Sequence, residues 1–172
     1  MAGEKLNEWT GRLPELEDGR RFPGVEREVA EGIYGEVLGM ADGLKVLADG
    51  LQEVDDGGDW KVRFLVRGLV NSVGAGGDAK VEAGLVAAAM DADRGPGVRA
   101  FLLEQVRFIA GEASLAAVVP ALGEVDERLT DAAAAVIVTV GGDAAKAALR
   151  GAMENVAPAR RVVLENALKQ VG

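Results

Sequence analysis

The 172-residue sequence contains neither cysteine nor histidine. Without cysteine there can be no disulfide, no thiolate nucleophile and no zinc–thiolate site. Without histidine the chain lacks the commonest general base and the commonest metal ligand. Aromatic residues make up only 4% of the chain, which argues against a β-sandwich because strands are enriched in aromatic and β-branched side chains. These absences remove most familiar catalytic arrangements and favour a helical fold.

The chain also has fewer basic than acidic residues: 19 Lys and Arg and 28 Asp and Glu, which give a net charge of −9 at pH 7. This balance disfavours non-specific binding to nucleic acid and to anionic membranes. No stretch approaches the roughly 18 uncharged apolar residues of a membrane span, and residues 1–21 lack the apolar core of a signal peptide. The sequence therefore predicts a cytoplasmic protein that binds neither nucleic acid nor a membrane.

What the chain does contain is a repeated pattern of apolar residues ending in glycine. In the four stronger copies, the residues nine, eight, five and one positions before the glycine are apolar, and these offsets trace one face of an α-helix. We call these the B helices, and each is expected to bury that face. Four copies are at 60–74, 97–111, 127–141 and 158–172, and a weaker copy is at 25–39.

Alanine-rich segments of a second kind alternate with the B helices and are also predicted to be helical; we call them the A helices. They span residues 39–54, 76–90, 111–123 and 141–153. The closing glycines recur every 30 to 37 residues and are expected to adopt a left-handed conformation. Prolines that favour a helix start stand at Pro23, Pro96 and Pro158, and predicted N-caps are Asp59, Asp78 and Asp143.

This period resembles that of the HEAT-repeat family of α-solenoids. The resemblance is carried also by Val-Arg pairs at 62–63 and 98–99 and by Val-Pro-Ala-Leu at 119–122. It covers residues 25–172, with repeat ends at 39, 74, 111, 141 and 172, and an insertion at 91–97. It implies an all-α fold, a right-handed α-solenoid of about five antiparallel helix pairs. Residues 1–24 match no repeat and are predicted to form an N-terminal capping segment, with an apolar stripe of Leu6, Trp9, Leu13 and Leu16.

The stretch LVNSVGAGGDAKVEAGLV at 69–86 resembles a dinucleotide-binding turn through Gly74, Gly76 and Ala79. That fingerprint requires a strand before it and an acidic residue about 20 positions on, at the end of a second strand. Here both flanks have helical spacing, and the equivalent turn at 141–143 lacks the Gly-x-Gly spacing. We therefore interpret the stretch as a corner between helices and predict no cofactor.

Two loops rich in acidic residues are candidate metal sites. Asp91 and Asp93 resemble the start of a calcium loop, but an EF-hand requires an oxygen ligand at position five, glycine at six and glutamate at twelve. Those positions hold Gly95, Pro96 and Leu102. The other loop, 55–59, is interpreted as a solvated turn that ends in an N-cap. No metal site is predicted.

The second face of the B helices, at offsets 11, 7 and 3 before the closing glycine, is the predicted binding surface, because B helices usually line the concave side of a solenoid. Arginine and aromatic residues are typical interface anchors. The alternative is that the aromatic side chains here pack between repeats and that the arginines are solvated or paired with acidic neighbours. Arg107 falls in an otherwise apolar column and is expected at an edge or beside a partner. The candidate partner-binding residues are Trp60, Arg63, Phe64, Arg67, Glu104, Arg107 and Phe108.

The function predicted from these features is protein–protein interaction or scaffolding without catalysis, by a monomer or weak oligomer with a partner of unknown identity. The alternative is a small-molecule lyase or hydrolase that uses carboxylates in the concave groove. A deep pocket that holds two carboxylates with raised pKa values would favour it. A third possibility is a structural module of a longer chain.

Overall fold

The computed structural model describes residues 2–17, 24–54, 56–74 and 77–172. These residues form ten α-helices and one 3₁₀ helix, and no strand occurs among them, which confirms the all-α prediction. The chain divides into two compact units, 1–69 and 70–172. The helices are α1 (Ala2–Gly11), α2 (Arg27–Gly39), α3 (Gly43–Asp49), α4 (Trp60–Val73), α5 (Ala79–Met90), α6 (Pro96–Val106), α7 (Glu112–Val118), the 3₁₀ helix (Val119–Gly123), α8 (Glu127–Val140), α9 (Gly142–Met153) and α10 (Pro158–Gln170).

In the first unit, the N-terminal helix α1 packs on the pair formed by α2 and α3. Trp9 is fully buried, and its indole N–H donates to a carboxylate oxygen of Glu36 on α2 at 3.0 Å. Arg12 donates to the other oxygen at 2.8 Å. The side chain of Leu6 lies directly over Gly50. Leu6 and Trp9 of the predicted apolar stripe thus contact the first helix pair and the residue that follows it; Pro23 lies outside the described residues.

In the second unit, the predicted B helices contact one another. Helices α6, α8 and α10 lie side by side, as do α5 and α7, while α9 contacts the 3₁₀ helix, α8 and α10. Consecutive helices joined by short connections commonly run antiparallel, so we expect α6, α8 and α10 to run in the same direction. In this unit the predicted B helices are neighbours of one another, as are α5 and α7 among the A helices.

The core follows the predicted apolar columns. All residues eight and five positions before the four stronger closing glycines are buried, and full burial of a valine or leucine side chain contributes about 1.5–3 kcal/mol. The side chains in these two columns are Val66, Leu103, Ala133, Leu164, Leu69, Val106, Val136 and Ala167.

The closing glycines behave in two ways. Gly74 and Gly141 follow α4 and α8 and have positive φ values of 68° and 72°, as predicted. Gly111 has φ −117° and lies five residues beyond the end of α6, so the predicted helix end there is wrong. The N–H groups of Phe108 and Ile109 bond three residues back, to Gln105 and Val106, and this tighter turn ends the helix early.

The helix starts agree with the sequence in most places. Pro96 and Pro158 occupy the first positions of α6 and α10. The carboxylate of Asp78 caps α5 by accepting from the N–H groups of Lys80 and Val81. Asp143 was predicted as an N-cap, which is wrong: α9 already begins at residue 142, so this carboxylate lies within the first turn.

A buried polar side chain occupies the fourth position of α4, α6 and α8 alike. Each donates a hydrogen bond to a backbone carbonyl at or just beyond the end of the preceding helix, where carbonyls have no partner within the helix. We call these three side chains the fourth-position donors. They and their acceptors are Arg63 to Gln52 at 2.9 Å, Arg99 to Ala89 at 2.9 Å and Thr130 to Leu122 at 3.5 Å.

Candidate functional site

The arginine predicted to anchor a partner on α4 lies inside the protein. Arg63 is 5% exposed, and its Nε contacts the two carboxylate oxygens of Asp59 at 2.8 and 3.0 Å. Asp59, itself 3% exposed, also accepts from the N–H of Gln52 at 2.8 Å. The network ties the loop before α4 to the helix. The prediction that Arg63 binds a partner is therefore wrong, and so is the interpretation of Asp59 as part of a solvated turn.

The other candidates on α4 do not form the predicted exposed cluster with Arg63. Trp60 and Phe64 are partly buried, and Arg67 is exposed. Lys61 lies 5.7 Å from the Trp60 ring centroid. The four candidates on α4 therefore do not form one exposed patch.

The candidates around the end of α6 are all at the surface. Glu104, Arg107 and Phe108 are exposed, and the Arg107 guanidinium lies 4.9 Å from the Phe108 ring centroid. Because α6 ends at Val106, Arg107 follows the helix and is exposed rather than buried with the apolar column. It forms no ion pair with any residue that the structure describes.

Arg107 also borders a cavity of about 380 Å³ between α8 and α10. The cavity follows two turns of each helix and combines small apolar side chains with amides and a carboxylate. Besides Arg107, its lining residues are Asp131, Ala134, Ala135, Val138, Thr139, Val163, Asn166, Ala167 and Gln170.

A smaller cavity of about 110 Å³ continues the first one toward the N-terminal ends of α8 and α10. Both cavities are lined by Asp131 and Val163, and the smaller one reaches Glu127. We treat them as two sections of one furrow. At a rise of about 1.5 Å per residue, the furrow runs roughly 18 Å along α8, from Glu127 to Thr139.

The two ends of the furrow carry opposite charges. Glu127 and Asp131, both exposed, lie in the first turns of α8, whereas Arg107 lines only the larger section, which extends to Thr139. Neither carboxylate forms an ion pair with the described residues. Arg160, at the acidic end, instead donates to the carbonyls of Gly123 and Val125.

A second groove, of about 310 Å³, lies between α5 and α7 and is lined mostly by alanine. Its one carboxylate, Glu82, accepts from the N–H of Gly111 at 2.8 Å and from the hydroxyl of Ser114. Ser114 is 3% exposed. Glu82 therefore links α5 to the start of α7.

The glycine stretch and the acidic insertion have structural roles. Helix α4 precedes Gly74 and α5 follows Asp78, so the strand that a dinucleotide turn needs is replaced by a helix; residues 75 and 76 lie outside the described part of the chain. The Asp91 carboxylate accepts from the N–H of Asp93 at 3.1 Å and faces Arg94. Within the described ranges, no group of three or more acidic side chains could hold a metal ion, and no helix is long and apolar enough to cross a membrane.

No protein-family model matches the chain, and no curated protein matches its sequence. The HEAT-like solenoid therefore stays a prediction that rests on the repeated helix pairs and their common apolar columns.

Proposed function

We propose that the protein binds a segment of a partner protein in the furrow between α8 and α10 and has no catalytic activity of its own. The observation that carries this proposal is the furrow itself, two adjoining cavities that share Asp131 and Val163. Its charged residues Arg107, Glu127 and Asp131 are exposed and form no ion pair with the described residues. Exposed Phe108, 53% accessible, lies beside its basic end. Arginine and aromatic residues are the side chains most often found as interface anchors.

The dimensions of the furrow support a peptide segment as the ligand. A length of roughly 18 Å accommodates about twelve residues of helix or five to six residues of extended chain. The wall residues Ala134, Val138 and Val163 provide an apolar surface, and a groove of this kind suits the apolar face of an amphipathic segment.

The catalytic alternative receives less support from the geometry. The two carboxylates of the furrow, Glu127 and Asp131, occur together only in its smaller section. Both carboxylates are exposed. A small-molecule lyase or hydrolase would instead need two carboxylates enclosed together in a deep pocket.

Site-directed crosslinking tests the proposal, since the absence of cysteine makes any introduced thiol unique. Thr139→Cys places a photo-crosslinker in the furrow, and Ala147→Cys places one on the exposed surface of α9. In lysate of the organism that encodes the chain, we expect protein crosslinks at position 139 that fall when Arg107→Glu is added and persist with the charge-matched control Arg150→Glu. Equal crosslinking from both positions, or equal loss with both arginine variants, would contradict the assignment.

A further inference from the structure

The charges of the furrow also specify the chemistry and the direction of its ligand. We infer that the ligand is an amphipathic helix that lies antiparallel to α8 and α10, with acidic residues in its N-terminal turn and basic residues in its C-terminal turn. This inference rests on the proposed function and deepens it.

The first step of the argument concerns the charges. Arg107 at one end of the furrow and Glu127 with Asp131 at the other form no ion pair with the described residues, so each end is available to a ligand group of opposite sign. Eight to twelve residues of α8 separate Asp131 and Glu127 from Thr139, which corresponds to roughly 12–18 Å. The ligand's charged groups should therefore be two to three helical turns apart. A reversed ligand would place like charges together, which costs affinity and so gives directional specificity.

The second step concerns the shape of the furrow. Ala134, Ala135 and Ala167 in its lining are small, while Val138 and Val163 are larger. Small side chains on two neighbouring helices leave a groove into which the side-chain ridge of a third helix can fit. The ligand should present leucine-sized residues at positions i, i+3, i+4 and i+7, which form a single helix face.

The third step concerns the helix dipoles. A helix is stabilised by acidic residues in its first turn and basic residues in its last turn. In the antiparallel ligand, the acidic first turn lies beside Arg107 and the basic last turn lies beside Asp131. These charges also stabilise the ligand helix through its own dipole. Its positive N-terminal end then also lies near the negative C-terminal end of α8, which ends at Val140.

The test is selection from a displayed library of 16-residue helical peptides on the full-length protein. The apolar face is randomised among Ala, Leu, Ile, Met and Phe, and the first and last turns are randomised among Glu, Lys and Gln. We expect selected peptides to carry Glu in the first turn and Lys in the last. Arg107→Glu should weaken their binding roughly tenfold through like-charge repulsion, whereas Arg150→Glu should not. Peptides with the two charges exchanged should bind better to Arg107→Glu than to the wild type.

The outcomes separate this inference from the proposed function. In the variant Val138→Arg, the larger side chain fills the furrow. If the selected peptides fail to bind this variant but show no charge preference at their ends, the inference is overturned and the furrow remains the binding site. Acidic residues selected in the last turn would overturn the antiparallel direction. If no selected peptide loses its binding in the Val138→Arg variant, both the inference and the proposed function are overturned.

Discussion

Removal of the Arg63 side chain should strongly destabilise the first unit. The Asp59 and Arg63 side chains are only 1% and 6% exposed, so Arg63→Ala leaves a carboxylate buried with one backbone N–H from Gln52 and no cation. Breaking a buried pair from one side typically costs about 3–5 kcal/mol. For a chain of this size, such a loss lowers the melting temperature by roughly 6–20 °C.

Urea denaturation followed by tryptophan fluorescence is a suitable assay, because both tryptophans of the chain, Trp9 and Trp60, belong to this unit. Arg67→Ala, one turn further along α4 and exposed, is the matched control and should cost less than about 1 kcal/mol. Replacing both partners, Asp59→Leu with Arg63→Met, should recover much of the loss because no charge is then left buried. If Arg63→Ala costs no more than the control, or if the double variant is less stable than the single one, the pair does not act as described.

Two further predictions concern α2 in the same unit. A β-carbon on Gly68 would lie 1.9 Å from the Tyr34 hydroxyl and 2.9 Å from the ring carbon that bears it. The substitution Gly68→Ala should therefore destabilise the protein by about 1–3 kcal/mol through overpacking, and by clearly less in a Tyr34→Phe background. Equal shifts of the urea midpoint in both backgrounds would contradict this contact. The hydrogen bond from Arg12, and to a smaller extent that from Trp9, lowers the pKa of Glu36 below its ordinary value of 4.5. The Glu36 carboxylate therefore stabilises the folded protein above the pKa of the unfolded state, and this stabilisation is lost as the pH falls through the pKa of the folded state. The stability difference between wild type and Glu36→Gln, measured from pH 7 to 3, should shrink below about pH 4.5; a constant difference would show that the carboxylate has no such role.

The helix pairs could be predicted from the sequence because apolar side chains at helical spacing must be buried together. The predicted segments 60–74 and 127–141 correspond to α4 and α8 within one residue. The prediction failed at 97–111, where the same spacing continues past Val106 although the backbone tightens into a turn. The spacing of apolar residues shows which side chains can share a helix face. It does not show where the backbone N–H groups begin to bond to the carbonyl three residues back instead of four.

The site could be predicted only in part. Arg63 was assigned to the surface from its helix face alone, whereas a loop that contains Asp59 and Gln52 covers that face in the structure. One signal was present in the sequence: an aspartate four residues before the arginine of a Val-Arg pair can form an ion pair within one turn. The second pair contains Arg99, which is also buried, so the repeated pair indicated a structural role.

The furrow required knowledge of which helices are neighbours. Ala134 and Val138 on α8 fall on the predicted second face and do line it. The corresponding positions on α10, among them Glu165, do not, and Asn166 and Gln170 line the furrow instead. A channel between two parallel helices is formed by the right side of one and the left side of the other. A rule that takes the same face of every repeat therefore identifies only one wall.

The fourth-position donors have a consequence for how the chain can change in length. They bridge 11, 10 and 8 residues in their three connections, so the same hydrogen bond closes loops of different size. The ends of each connection are held together by side chain and carbonyl, whatever residues lie between them. Connections of this kind are natural positions for inserted sequences, since lengthening a loop whose ends are already fixed costs little free energy. In this chain the stretch between Ala89 and Arg99, which holds the insertion at 91–97, is the place where a tag or a reporter domain could be grafted without separating the helices on either side.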